Sequence, residues 1–212
     1  MRAAALILVP AAFAASVRAD ELSRYSYDVA ASFGYALPAG SSERGADLGD
    51  VTFGDAPIEL SGMYRLTRPF ALGVSGRYGF VVPTLCSGGS DCVSSLGHDI
   101  ALLAIARFYL PRFLGAEPYV DARAGYEWFA ASLVDTGKTS THSYGGPIFL
   151  ATEVGMPFEL GKGWTLGPAF GLSLGTFVDS HLEAPGISRD LGVANPAVHA
   201  WFSVAVRASF RF

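Results

Sequence analysis

The chain has 212 residues, half of them hydrophobic, with 15 basic and 19 acidic side chains and a net charge of −4. An acidic chain with only two lysines, Lys138 and Lys162, and no basic run is excluded as a phosphate-backbone binder, so no nucleic-acid partner is expected. Membrane helices are excluded too, because the best apolar run beyond the first twenty residues, Ile100 to Ala106, stops at Arg107, far short of the roughly 20 residues a spanning helix needs.

The amino terminus, MRAAALILVPAAFAASVRAD, places Arg2 before an apolar run from Ala3 to Ala15 and small residues after it. That layout predicts a secretory signal peptide over 1–19, cut after Val17-Arg18-Ala19 or, alternatively, after Ala12-Phe13-Ala14. Removal of Arg2 and Arg18 leaves 13 basic against 19 acidic groups over 20–212, a net charge of −6.

Eight segments then alternate in polarity at every residue, at 25–37, 57–66, 70–82, 98–110, 118–131, 146–158, 164–178 and 197–212. Short turns at 67–69, 111–117 and 159–163 alternate with longer segments at 38–56, 83–97, 132–145 and 179–196. The pattern predicts an all-β chain: an eight-stranded antiparallel up-and-down transmembrane β-barrel with four long outer loops and three short periplasmic turns.

Charge decides which face is inside. One face of the strands carries Asp28, Glu59, Arg65, Arg77, Asp99, Arg107, Asp121, Arg123, Glu127, Glu153, Arg207 and Arg211, six acids and six bases. The other carries no charge; on the first segment it reads Tyr25, Tyr27, Val29, Ala31, Phe33, Tyr35 and Leu37. A soluble sandwich or lipocalin-like barrel hides apolar side chains and shows polar ones to water. A membrane barrel does the reverse, since a charge facing lipid costs about 2–4 kcal/mol at the midplane. The twelve charges are therefore expected to form a neutral lumen network. Aromatic residues cluster near strand ends, as interfacial girdles require.

The last segment alternates Val204, Val206, Ala208, Phe210 and Phe212 with Ala205, Arg207, Ser209 and Arg211. With this strand and the seven before it, the chain from 20 to 212 resembles the small eight-stranded bacterial outer-membrane proteins of the OmpA/OmpX/OmpW kind. The resemblance implies residence in the outer membrane with both termini periplasmic, and contact with outer-membrane lipid and lipopolysaccharide. It also implies that Phe210 and Phe212 form a carboxyl-terminal signal for the barrel-assembly machinery. The chain stops at Phe212, which implies a barrel without the peptidoglycan-binding domain of full OmpA-type proteins. The charged inner face departs from the apolar channel of OmpW-like members.

Chemistry-bearing motifs are few. Cys86 and Cys92 flank five residues of an outer loop in a chain expected to be secreted, which predicts a disulfide worth about 2 kcal/mol on the chain-entropy model. His98, His142, His181 and His199 bear on a lipid-modifying enzyme, which would use His with Ser or Asp at the outer rim. His199 and Ser203 share a face but lie about 13 Å apart at 3.3 Å per residue, and His98 and Asp99 point to opposite faces. No local dyad is predicted, so neither catalytic residues nor a cofactor or metal site are expected. Thr136-Gly137-Lys138-Thr139 lacks the first glycine of a phosphate-binding loop, with Ser132 in its place.

The long connections hold Glu43, Arg44, Asp47, Asp50, Asp55, Asp91, Asp135, Lys138, Asp179, Glu183, Arg189 and Asp190, nine acids and three bases, so the excess charge is expected outside the cell. It reads as a solvated loop surface, or more sharply as a surface for divalent cations bridging to lipopolysaccharide phosphates. The expected role is structural or interactive, through extracellular loops over a salt-bridged lumen. A narrow pore for small polar solutes and a lipid-modifying enzyme are the alternatives.

Overall fold

The structure is a computed structural model and describes residues 27–43, 46–83, 92–94, 97–135, 138–193 and 195–212. In chain order the elements are β1 (Tyr27–Glu43), β2 (Ala46–Asp47), the single turn α1 (Leu48–Val51), β3 (Thr52–Thr67), β4 (Phe70–Pro83) and β5 (Cys92–Ser94). There follow β6 (Gly97–Tyr109), β7 (Tyr119–Asp135), β8 (Lys138–Gly155), β9 (Phe158–Gly161), β10 (Trp164–Thr176), β11 (Asp179–Ala184), β12 (Ile187–Asp190) and β13 (Val198–Arg211).

Eight of these make the wall. Going round, β1 pairs β3, then β4, β6, β7, β8, β10 and β13, every neighbour antiparallel. The ring closes where β13 returns to β1, from Asp28↔Arg211 to Gly40↔His199. Closure satisfies every wall strand on both edges, which is what lets such a sheet stand in a medium that offers the backbone no hydrogen bonds.

The two faces differ as period-two alternation requires. Outside, Val29, Phe33, Leu60, Val74, Leu102, Phe170, Phe202, Val204 and Val206 are exposed to between 52% and 66%. Inside, the neighbouring positions are buried, and bulky side chains there need glycines opposite them. A Cβ at Gly155 would overlap the Tyr119 ring, and one at Gly79 the Asp55 carboxylate.

Strand boundaries shift where the sequence reading expected loops. The 132–145 segment is mostly strand: β7 and β8 stay paired out to Asp135↔Lys138, leaving only 136–137 between them. The 179–196 segment contains the β11–β12 hairpin, turned at Pro185 and Gly186, where Gly186 has a φ of +78°. The 38–56 segment is shortened from both sides, because β1 runs to Glu43 and β3 begins at Thr52. Polar alternation such as Thr139 to His142 gave no apolar face to read, so these extensions looked like loop. The expected signal peptide at 1–19 lies outside the described residues. So does Cys86, and with it the expected disulfide to Cys92, which opens β5 opposite Asp135.

Candidate functional site

The barrel interior is built in layers. At the end where the chain termini meet, Arg211 Nε is 3.2 Å from Asp28 Oδ2, its guanidinium also bonds Glu117, and Arg65 reaches Glu117 at 3.3 Å. Arg65 stacks on the Tyr109 ring, 3.8 Å from its centroid. Glu117 belongs to the turn before β7. Burial opposes its ionisation, but Arg211 and Arg65 more than offset this and hold its carboxyl below the ordinary glutamate range.

The middle layer is the densest. Arg107 donates two hydrogen bonds to Asp121, at 2.6 and 2.8 Å, and lies over the Tyr119 ring at 3.6 Å. Arg123 binds Asp121 at 2.8 Å, Glu153 at 2.7 Å and Glu59 at 3.0 Å. Arg207 reaches Glu59 and Glu153, each at 3.5 Å, and donates to Ser61. Tyr119 completes the layer by donating to Glu153 at 2.7 Å. Three guanidiniums thus face three carboxylates.

Above it, Arg77 holds Asp99 at 2.6 Å, and Glu127 accepts from Trp201 Nε1 at 2.9 Å and pairs with His199 Nε2 at 3.1 Å. Asp55 also faces this layer. It is fully buried, and among the described residues neither carboxylate oxygen makes a hydrogen bond of normal geometry. The layer therefore carries Asp55, Asp99 and Glu127 against one guanidinium. An apolar lid covers it, made of Leu48 from α1 with Ala36, Val81, Phe129, Ala131, Phe177 and Trp201.

All twelve charged positions on the inward face lie within these layers. Arg65 and Arg77 retain 11% and 10% side-chain exposure, and the other ten are buried. Two further carboxylates join them that the sequence reading assigned elsewhere. Asp55 was counted with an outer loop, but β3 starts early and turns it inward. Glu117 falls in the short turn at 111–117, which folds under the barrel mouth and brings its carboxylate to Arg65 and Arg211. An apolar lid of inward-facing Phe129, Phe177 and Trp201 was also missed. The signal was present: those three large residues share the charged face near the outer strand ends.

The interior leaves a cavity of about 50 Å³ between Ser32, Glu59, Arg77, Arg123 and Trp201. That is room for one or two waters.

On the outside, aromatic rings form a ladder at the terminal end. Trp164 stands 4.9 Å from Phe210, Phe210 5.9 Å from Phe212, Phe212 5.6 Å from Tyr27 and Tyr27 5.1 Å from Tyr64. At the opposite end Tyr126 packs on Trp128 at 4.7 Å and Tyr78 on Phe80 at 5.1 Å. Two aromatic bands thus bracket the apolar wall.

The histidines are scattered. His199 is inside with Glu127 and makes no bond to Ser203; His98 is outside, 2.5 Å from the Tyr78 hydroxyl; His142 stacks loosely near Tyr144, 6.4 Å away. His181 differs. The β11–β12 hairpin sets its Nδ1 2.6 Å from Asp190 Oδ1 and its Nε2 3.4 Å from Ser188 Oγ. Local spacing did not find this group, because a hairpin, not one strand, assembles it. Among the described residues no cluster of His, Cys, Asp and Glu has the arrangement of a metal site.

The wall, the layered interior and the two aromatic bands decide the architecture. The chain has the fold of the small outer-membrane β-barrels. It is similar to Neisserial surface protein A (NspA), with 13% identity, 88% of this chain and 97% of that one covered, and a TM-score of 0.54. It is similar to OprG from Pseudomonas aeruginosa, at 14% identity over 89% and 97% of the two chains with a TM-score of 0.55. A major outer membrane protein from Thermus thermophilus matches at 11% identity over 90% and 100%, with a TM-score of 0.56. No family model matches the sequence, and no curated protein resembles it in sequence.

Proposed function

We propose that this barrel resides in a bacterial outer membrane as a closed anchor that acts through its outer surface, with both termini in the periplasm. The observation that carries the reading is the partition of the wall. Apolar side chains, bracketed by aromatic bands, cover the outside, while arginines and carboxylates are paired within. In water that arrangement is unfavourable twice over, since it exposes grease and buries charge. In a bilayer it is the favourable one.

The interior supports anchoring over conduction. Three ionic layers and the lid formed by Phe129, Phe177 and Trp201 occupy the bore, and the cavity beside Ser32, Glu59 and Arg77 is a water or two in size. Eight-stranded barrels commonly fill in this way. Function then falls to the outer connections, whose described charges include Asp47, Asp50, Asp179, Glu183 and Asp190. This acidic rim suits divalent cations shared with lipopolysaccharide phosphates. Phe210, on the outward side of β13, and Phe212, just past its end, suit recognition by the assembly machinery. Recordings on refolded protein in planar bilayers test the anchor: no steady unitary current is expected, and reproducible conductance steps would establish the pore instead.

A further inference from the structure

We propose that Ser188, His181 and Asp190 form a nucleophilic site on the β11–β12 hairpin that hydrolyses carboxylic esters carrying an apolar acyl arm. The proposal goes beyond anchoring and does not depend on a closed lumen. Its basis is the hairpin register. His181 faces Asp190, and the Leu191 N–H donates to the Ser180 carbonyl at 2.9 Å. That places His181 and Asp190 at a non-hydrogen-bonded position, where facing side chains come closest. Ser188 lies two residues before Asp190 and so shares its face. The imidazole spans the two, with Nδ1 at 2.6 Å from the carboxylate and Nε2 at 3.4 Å from the hydroxyl.

The order of contacts gives each group a role. The Asp190 carboxylate accepts the Nδ1 proton and fixes the tautomer in which Nε2 carries a lone pair toward Ser188. The same register turns the Ser188 backbone N–H toward the free edge of β12, which pairs only with β11 among the described strands. That N–H is available to a developing oxyanion. Beside His181 and Asp190, which line it while Ser188 stands outside its wall, lies a hollow of about 660 Å³ bounded by Ile100, Tyr126 and Trp128 and by the polar His98, Ser143 and Asp179. Ile100 and Trp128 are exposed on the lipid-facing side, so the hollow opens where an acyl chain would lie.

In the reaction the Ser188 oxygen bonds to the ester carbonyl carbon while its proton passes to His181 Nε2. The tetrahedral adduct collapses, the C–O bond to the alcohol breaks, and the departing oxygen takes the proton back from His181. Water, deprotonated by the same nitrogen, then attacks the acyl-serine. A free carboxylic acid leaves and the serine hydroxyl is restored.

The test uses the refolded full barrel in detergent and in proteoliposomes, with the heat-dependent shift in gel mobility as the check on folding. A fluorophosphonate probe is expected to attach to Ser188, and Ser188→Ala to abolish the adduct without altering the mobility shift. His181→Gln is expected to slow both labelling and hydrolysis of 4-nitrophenyl decanoate by ~100-fold or more. Fatty acid released from outer-leaflet lipid in proteoliposomes would name the leaflet as the source of substrate, whereas cleavage of the nitrophenyl ester alone would name a diffusible ester. No adduct at Ser188, together with equal hydrolysis by wild type and Ser188→Ala in both settings, overturns the proposal.

Discussion

Arg107 and Asp121 stand directly opposite one another on β6 and β7 and share two hydrogen bonds, of 2.6 and 2.8 Å, deep inside the barrel. Both are buried, and Arg107 is held from a third side by the Tyr119 ring. Removing one partner of such a pair leaves a buried charge without compensation, at a cost of about 3–5 kcal/mol. Arg107→Met should therefore lower the melting temperature of the refolded barrel sharply. Arg107→Met with Asp121→Leu should recover most of the loss. An unchanged melting temperature in the single variant would mean that the layer does not depend on this pair.

The layer beneath the lid makes the opposite prediction. Asp55 is fully buried and makes no hydrogen bond of normal geometry among the described residues, in a group of three carboxylates around Arg77. Asp55→Asn removes one negative charge from the group and gives it an amide donor. The substitution is expected to leave stability unchanged or raise it by about 1 kcal/mol, on the scale of one buried hydrogen bond. Thermal melts in detergent check this, and a clear fall would contradict it.

Trp201 has two roles that substitution separates. It packs in the lid with Phe129, 6.3 Å between ring centroids, and donates to Glu127 at 2.9 Å. Trp201→Phe keeps most of the packing and loses the donor, with an expected cost of about 1–3 kcal/mol. Trp201→Ala loses both, with about 3–5 kcal/mol expected from the cavity alone. Equal melting temperatures for the two variants would show that the hydrogen bond, not the packing, dominates.

The fold was legible in the sequence because lipid imposes a simple code. Alternation named the strands, and the absence of charge from the face that includes Phe33 and Phe170 named the outside. Alternation names which residues face inward but not which of them meet. Arg123 meets Asp121 two residues back on its own strand, but it also gathers Glu153 and Glu59 from two other strands, a consequence of stagger that spacing along one strand does not encode. Asp55 was obscured because Gly54 and Pro57 flank it and the β3–β4 register shifts between Thr52 and Gly54, so the strand start read as loop. The His181 group was obscured for a related reason. Its members lie seven and nine residues apart, and only the turn at Gly186 brings them together.

Acid should loosen the terminal end. Glu117 is held below the ordinary glutamate value of about 4.3 by Arg211 and Arg65, despite burial. A carboxyl depressed on folding stabilises the folded state fully above its unfolded value, and the contribution is lost as pH falls through the folded value. Wild type should therefore lose stability below about pH 4, and Glu117→Gln should lose less across that window. Parallel pH profiles for the two would contradict this.

The most direct test of the account is the environment of the apolar wall. Single cysteines at Leu166, Phe170, Phe202 and Val204, in a Cys86→Ser, Cys92→Ser background, would carry spin labels on the outward face of the protein refolded into liposomes. Accessibility to dissolved oxygen, which concentrates in hydrocarbon, should exceed accessibility to a water-soluble nickel chelate at all four positions. Greater accessibility to the chelate there would place the wall in water and contradict a membrane barrel.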